Sequence, residues 1–390
     1  MIRIFVIGRK LLCPLAGVLA LLTLSSAQAK NYKVLHSFNN NVGGLNPIAG
    51  LIVDKGGNFY GTTAGTRMGE DGTVFMLPAG SNKPKFLHTF TGGGTDGSDP
   101  YAGVIMDKAG NLYGTTVGGG QGINSEGTVF KLSAKRKLAI LHSFYGGSDG
   151  AYVYAGLAMD KDGNLYGTTS LGGTGNNGVA YKIAADGTET VLHTFTGGSD
   201  GGQPYAGLIL GGKGNLYGTT FYGGADNSGV VFELAPDGTE TVLYSFKGGG
   251  DGANPYAGSL IADPAGNLYG MTYAGGASGD GTVFRLAHDG TETVVHSFAG
   301  GDDGAQPFAG LTMDSSGNLY GTAQAGGAGR DGILFRLARD GTETVLHTFE
   351  GGADGAMPSC TLLPDGDGNL YGTTISGGLY DSGTIFVIKE

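Results

Sequence analysis

Acids and aromatic rings recur together in this chain. Asp96, Asp149, Asp200, Asp251, Asp303 and Asp354 each stand inside a glycine-rich stretch such as TGGSDGGQPYAG (196–207). A ring follows in five of these stretches, at Tyr101, Tyr154, Tyr205, Tyr256 and Phe308, whereas Ser359 and Ile48 take the corresponding places elsewhere. Carboxylates that accept hydroxyl hydrogens beside apolar ring faces could bind a sugar or a cation. The same residues have a structural use, because Asp can satisfy the amides of its own glycine turn and Tyr can fill space between neighbouring units.

Other chemistry is thinner. Histidine recurs at His36, His88, His142, His193, His296 and His347, with Tyr244 in the remaining place. All lie on the strand that the repeat described below puts outermost, ~14 Å beyond the innermost one. Histidines of adjacent units then stand more than ~10 Å apart, too far to share a zinc ion. A hydrogen bond from each imidazole to its surroundings is expected, with no metal and no cofactor. LGGTGNNG (171–178) has neither the Lys-Ser/Thr of a phosphate loop nor a helix after it. DKDGN (160–164) begins like a calcium loop but lacks the later ligands and closing Glu. GGSDG (197–201) is no nucleophile elbow, which needs a strand-to-helix turn.

The elements that must position these residues are written in a repeat. GNLYGTT or a near copy places tyrosines at 60, 113, 166, 217, 269, 320 and 371, spaced by 53, 53, 51, 52, 51 and 51 residues. A period near 50 marks a propeller or a solenoid. In the third unit four alternating runs follow one another: AGLAMD (155–160), NLYGTT (164–169), GVAYKI (178–183) and TVLHTF (190–195). Each is bounded by Gly, Asp or Asn, as short antiparallel strands are. No run of helical period occurs after residue 29. The glycine after the repeat's Tyr, Gly167 in this unit, is expected to mark a bulge or a close backbone approach.

The ends are complementary. KVLHSF (33–38) is a fourth-type strand with nothing before it, and GTIFVIKE (383–390) is a third-type strand with nothing after it. The fold class predicted is all-β, a seven-bladed β-propeller of four-stranded antiparallel blades, closed by the N-terminal strand completing the last blade. A solenoid would not need that complementation.

GNLYGTT, then GG, then GTVF, closely resembles the GloVer-type tandem repeat of bacterial extracellular proteins, and the likeness spans essentially all of residues 30–390. The resemblance implies an extracellular repeat protein and brings no activity with it. In that family a surface-anchor or sorting segment commonly follows the repeats. This sequence departs from that pattern, since Glu390 ends the last strand, and the resemblance therefore does not settle whether the protein is anchored.

Residues 1–29 read separately. Arg3, Arg9 and Lys10 precede LLCPLAGVLALLTL, and Ala27-Gln28-Ala29 fits a small-x-small cleavage site, the pattern of a secretory signal peptide. Residues 30–390 then form a single propeller domain. Eighty glycines and 40% apolar residues suit a turn-rich β protein rather than a disordered chain. Without its three leader cations the chain has 20 basic residues against 34 acidic, a net charge near −14. Nucleic acid and anionic membrane are poor partners for such a surface, and no membrane insertion is expected after leader removal. Cys360 stands alone in 30–390, so no internal disulfide forms.

Strand-two to strand-three loops measure 11 residues from Gly to Gly in six units and 13 in the second, too short for a lid. Their unit-specific side chains include Arg67, Glu70, Gln121, Asn124, Glu126, Tyr222, Arg330 and Tyr380. The function read from the sequence is a secreted, non-catalytic, monomeric binding or scaffold protein. Its glycan or protein ligand would meet the face carrying the eleven acids and rings. The alternative is a secreted carbohydrate-active enzyme, a glycoside hydrolase or polysaccharide lyase, using acids of that face. Mass spectrometry of the exported protein should find Lys30 at the N-terminus; intact residues 1–29 in a cytoplasmic pool would refute the leader.

Overall fold

The computed structural model describes residues 31–39, 44–65, 71–121 and 126–390; the segment 1–29 read as a signal peptide and Arg67, Glu70 and Asn124 lie outside them. The chain forms seven antiparallel blades. The third blade shows the pattern, running outward from the axis as Ala158–Met159, Leu165–Thr169, Val179–Ile183 and Glu189–Thr194. Blades are numbered one to seven by the order of their inner strands. The inner strands keep only two paired residues each, shorter than the alternating sequence runs suggest. Their Ala-Gly starts pack against neighbouring blades at the axis: a Cβ on Gly103 would lie 3.0 Å from the Gly50 carbonyl oxygen.

The ring closes as the ends require. Tyr32–Ser37 pairs antiparallel with Thr384–Lys389, from Tyr32 opposite Ile388 to Ser37 opposite Thr384. The N-terminal strand also reaches both neighbouring blades. Tyr32 stacks on His347 of blade six with ring centroids 3.8 Å apart, and its hydroxyl donates to the Asp354 carbonyl at 2.6 Å. Phe38 is fully buried against Phe75 of blade one.

The repeated string GNLYG has a role for each letter. Asp54 opens the turn, and its carboxylate accepts from the Gly56 and Asn58 amides, the Asn58 side chain and the Tyr60 hydroxyl. Burial pushes that carboxyl up, but the bonds from Asn58, Tyr60 and Gly56 outweigh it and hold it below the usual range. The same network recurs at Asp107, Asp160, Asp263, Asp314 and Asp365. Blade four has Gly211 there, and Glu233 from the third strand accepts from Asn215 and Tyr217 instead. The calcium-like DKDGN stretch is therefore a turn that consumes its own carboxylate. Leu points into the seam between blades (Leu165 is 2% exposed). The following glycine makes no bulge: the third-strand ring covers it, and a Cβ on Gly61 would lie 2.7 Å from Phe75 Cζ. The register shift sits one pairing further out, between the third and fourth strands.

Threonines tie blade to blade. Thr62, Thr115, Thr168 and Thr373 donate to the carbonyls of Ala102, Ala155, Ala206 and Ala49, just ahead of the next inner strand. Deleting residues 30–38 removes the outer strand of blade seven and the Phe38 anchor. Truncating a buried Phe alone costs about 3–5 kcal/mol, so Phe38→Ala should lower the melting temperature markedly and the deletion should prevent stable folding. An unchanged melting temperature in either protein would contradict closure by this strand.

Candidate binding face at the axis

The connector from each outer strand to the next inner strand delivers the aromatic residues. Its backbone takes an uncommon path. Asn46, Asp99, Tyr152, Gln203, Asn254, Gln306 and Met357, one per blade, have φ between 54° and 57°, and six of them precede a proline. A left-handed non-glycine residue costs on the order of 1–3 kcal/mol and persists only where its surroundings fix it. Here the amide donates to the preceding blade's loop, as Gln203 does to the Asn177 carbonyl at 2.7 Å. The carbonyl accepts from the residue that follows its own blade's second strand, as Gln203 does from Phe221. The two bonds clamp adjacent blades together and aim the next residue but one, the Tyr, at the axis.

The five rings meet edge to face, stacked or tilted. Ring centroids are 5.3 Å apart for Tyr101–Tyr154, 5.4 Å for Tyr154–Tyr205, 4.8 Å for Tyr205–Tyr256 and 4.6 Å for Tyr256–Phe308. Phe221 and Tyr273 extend the arc behind Tyr256. Burial, followed by the charges of Tyr205, Tyr154 and Tyr101, pushes the Tyr256 hydroxyl up to about 12, so the phenols share one neighbourhood. The axis beneath is almost filled. A cavity of about 150 Å³ remains, bordered by Tyr101, Tyr154, Phe308, Ile48, Ser359 and Ser259. Ligand pockets usually measure about 300–1,000 Å³, so a ligand would lie across this mouth rather than inside the channel.

The six acids do not join the rings. Asp96, Asp149, Asp200, Asp251, Asp303 and Asp354 stay at the rim, where each accepts a backbone amide four or five residues back. Each also faces the outer-strand His or Tyr of its own blade. His88 Nε2 lies 3.0 Å from Asp96, His193 3.4 Å from Asp200 and His347 3.1 Å from Asp354, and the Tyr244 hydroxyl donates to Asp251 at 2.8 Å. His142 and His296 approach Asp149 and Asp303 to 3.4 and 3.2 Å without the alignment of a hydrogen bond. His36 is different, holding the Asn82 carbonyl at 2.8 Å through Nδ1.

A third group enters these rim sites from the next blade. Glu240, Glu292 and Glu343 begin the outer strands of blades four, five and six. Burial first, then the charge of Asp200, pushes Glu240 up to about 7, and burial with Asp251 does the same to Glu292. Burial, a hydrogen bond with Asp303 and its charge take Glu343 to about 8. Among the described residues, His296, Asp303 and Glu343 are the group whose spacing could hold a metal ion, with donor atoms within 4.8 Å of one another. A proton on Glu343 relieves the same repulsion.

Sequence reasoning thus located the rings and placed the acids on their connector, but the acids serve the rim. It missed the left-handed clamp, for which the X-Pro-ring pattern was the available sign. It also missed Asp99, whose carboxyl is pushed up by burial and by Asp71 and which lies beside Tyr101.

A family model described as the Gloeobacter/Verrucomicrobia repeat matches residues 17–214 and 159–386. No curated protein sequence matches the chain. Among solved structures, the extracellular domains of two hybrid two-component systems from B. thetaiotaomicron are similar in fold. One gives a TM-score of 0.59 at 13% identity, over 91% of this chain and 39% of that one. The other gives 0.55 at 11%, over 92% and 41%. A puromycin-hydrolyzing peptidase of Mycobacterium tuberculosis gives 0.53 at 13%, over 88% and 52%. At such identities the likeness concerns the fold alone.

The rim carboxyls set a pH dependence. A folded-state value raised above 4.5 means that the native protein keeps a proton the unfolded chain has released. Stability from these groups is fully present below about 4.5 and falls as pH climbs to about 8. Burial lowers His36 and His142, which act in the opposite direction, so the comparison of wild type with Glu343→Gln isolates the carboxyl. Melting temperatures from pH 5 to 8.5 should fall more steeply for wild type; identical slopes would show that Glu343 titrates normally.

Proposed function

The chain belongs to the Gloeobacter/Verrucomicrobia repeat family, and from that premise we propose that it is a secreted, non-catalytic binding protein whose aromatic mouth takes a glycan. The supporting observation is the unbroken arc from Tyr101 to Phe308, five rings contributed by five consecutive blades. Such an arc offers several ring faces and edges to the apolar C–H faces of a sugar chain, with phenol hydroxyls and the left-handed Gln and Asn side chains as polar partners. The shallow cavity suits a polymer laid across the axis. Export through the leader 1–29 accords with the extracellular setting of the two-component-system domains.

A second reading has one observation in its favour. Asp99 and Asp71 are two carboxylates on the mouth face, and burial first, then the charge of Asp71, raises the Asp99 carboxyl. A glycosidase needs one acid kept protonated beside one kept ionised. That reading makes the protein a carbohydrate-active enzyme.

A glycan array combined with a polysaccharide-degradation screen separates the two. Saturable binding without turnover is expected. Tyr205→Ala should weaken the bound glycan about fivefold, the equivalent of ~1 kcal/mol of aromatic contact, with the fold intact. Asp200→Asn should lower the melting temperature and leave affinity unchanged. Absence of glycan binding, or affinity indifferent to Tyr205, would remove the proposal. Turnover that Asp99→Asn abolishes would install the enzyme reading instead.

A further inference from the structure

The charge of the chain is divided unevenly. Residues 39–143, the span of blades one and two, carry 9 Lys and Arg against 7 Asp and Glu, whereas residues 144–390 carry 9 against 27. A protein with a large negative net charge therefore holds a basic sector in blades one and two. That sector contains a cleft of about 720 Å³ between the two blades. It opens on the end opposite the aromatic mouth, since the turns joining strands one to two and three to four form it.

The cleft has an aliphatic floor and a cationic rim. Val53, Met76, Leu87, Met106 and Leu112 line it, with Val53 42% exposed. Lys55, Lys108 and Arg136 stand around it, all exposed and all without an ion-pair partner among the described residues. Two carboxylates also border the cleft, Asp54 and Asp107, but each is bonded within its own turn to Asn, Tyr and backbone donors.

Arg136 breaks the local rule for its turn. It has φ 60°, where the matching turns of blades three to six use Gly187, Gly238, Gly290 and Gly341 at φ 84° to 91°. Those turns also carry Asp186, Asp237, Asp289 and Asp340 in place of Lys135. A charged side chain held in a strained conformation at the edge of a cleft is a departure that folding alone does not require.

We infer that this cleft is a docking site for an acidic peptide segment of a partner protein, with aliphatic side chains seated on the floor and carboxylates facing Lys55, Lys108 and Arg136. The floor decides between anionic occupants. It offers methionine, leucine and valine, which adapt to apolar side chains, and the Tyr60 hydroxyl is occupied by Asp54. An anionic polysaccharide would gain only the rim. The site is independent of the aromatic mouth, so one molecule could hold a polymer on one end and a protein on the other.

A random dodecapeptide display library selected on the folded, tag-free protein tests this. Selected peptides should be enriched in Asp and Glu interspersed with Leu, Ile or Met, and should lose affinity as salt rises. An exposed ion pair is worth about a two- to fivefold change, so the Lys55→Glu, Lys108→Glu, Arg136→Glu triple variant should weaken them at least about tenfold. Arg136→Gly supplies a control that cannot fail by misfolding, because it restores the turn's usual residue. It should bind two- to fivefold more weakly while melting no lower than wild type. Selected peptides without acidic enrichment, or equal affinity for the triple variant, would overturn the proposal. So would heparin binding with no peptide selected, or self-association at low salt that the triple variant abolishes, which would put a second copy in the cleft.

Discussion

Each seam between blades is held by one aromatic pair. The Phe that ends every outer strand meets the third-strand ring of the next blade, through Phe38–Phe75, Phe90–Phe130, Phe144–Tyr181, Phe195–Phe232, Phe246–Phe284, Phe298–Phe335 and Phe349–Phe386. Centroids stand 5.0 to 5.4 Å apart, and all fourteen rings are fully buried. An aromatic pair adds about 0.5–1.5 kcal/mol beyond its area burial, and here the pairs run round a closed cycle. The third-strand ring also lies over the repeat's central glycine, so that glycine is a packing requirement of the seam and not a hinge. Tyr181 is the one phenol in the set, and its hydroxyl is buried without a partner.

From those seams the structure builds inward and outward differently. Inward, threonine bonds and left-handed clamps fix each connector to two blades at once, which makes the mouth a rigid surface. Outward, His, Asp and Glu from adjoining blades share a partly buried rim where protons decide the balance. The regularity fails at one place. Blade five has Met271 where other second strands carry the donating threonine, and Ser259 is an extra residue beside Gly258. Thr219 of blade four accordingly has no hydrogen-bond partner. The irregular blade is the one that contributes Tyr256, the ring in contact with the most neighbours of the arc.

Architecture was legible in the sequence because it is periodic. The tyrosine spacing counts the blades, and an orphan strand at each end can be satisfied in only one way. The placement of the acids was less accessible. Asp200 is close in sequence to both Thr196 and Tyr205, and only the path of the connector decides that its carboxylate turns back to the rim. The pairing of Glu343 with Asp303 joins residues of different blades, and nothing in either local string announces it. Gly211 with Glu233 shows the opposite case: a missing turn acid is offset by a new one eighteen residues after Asn215, a compensation visible to repeat comparison. Arg136 could likewise have been found by aligning the turns, since a cation there stands in a glycine position.

Closure by the N-terminal strand carries a temporal consequence. Of the described strands, Tyr32–Ser37 is made before the others and pairs with Thr384–Lys389, made after them. Six blades can assemble in order from neighbours in the chain, but Tyr32–Ser37 waits without its partner until Thr384–Lys389 has been made. Contacts of such long sequence separation form slowly, and an unpaired edge is a template for association with other chains. During that interval the nascent protein depends on something else to shield residues 32–38, and the waiting time lengthens with every blade added to the repeat.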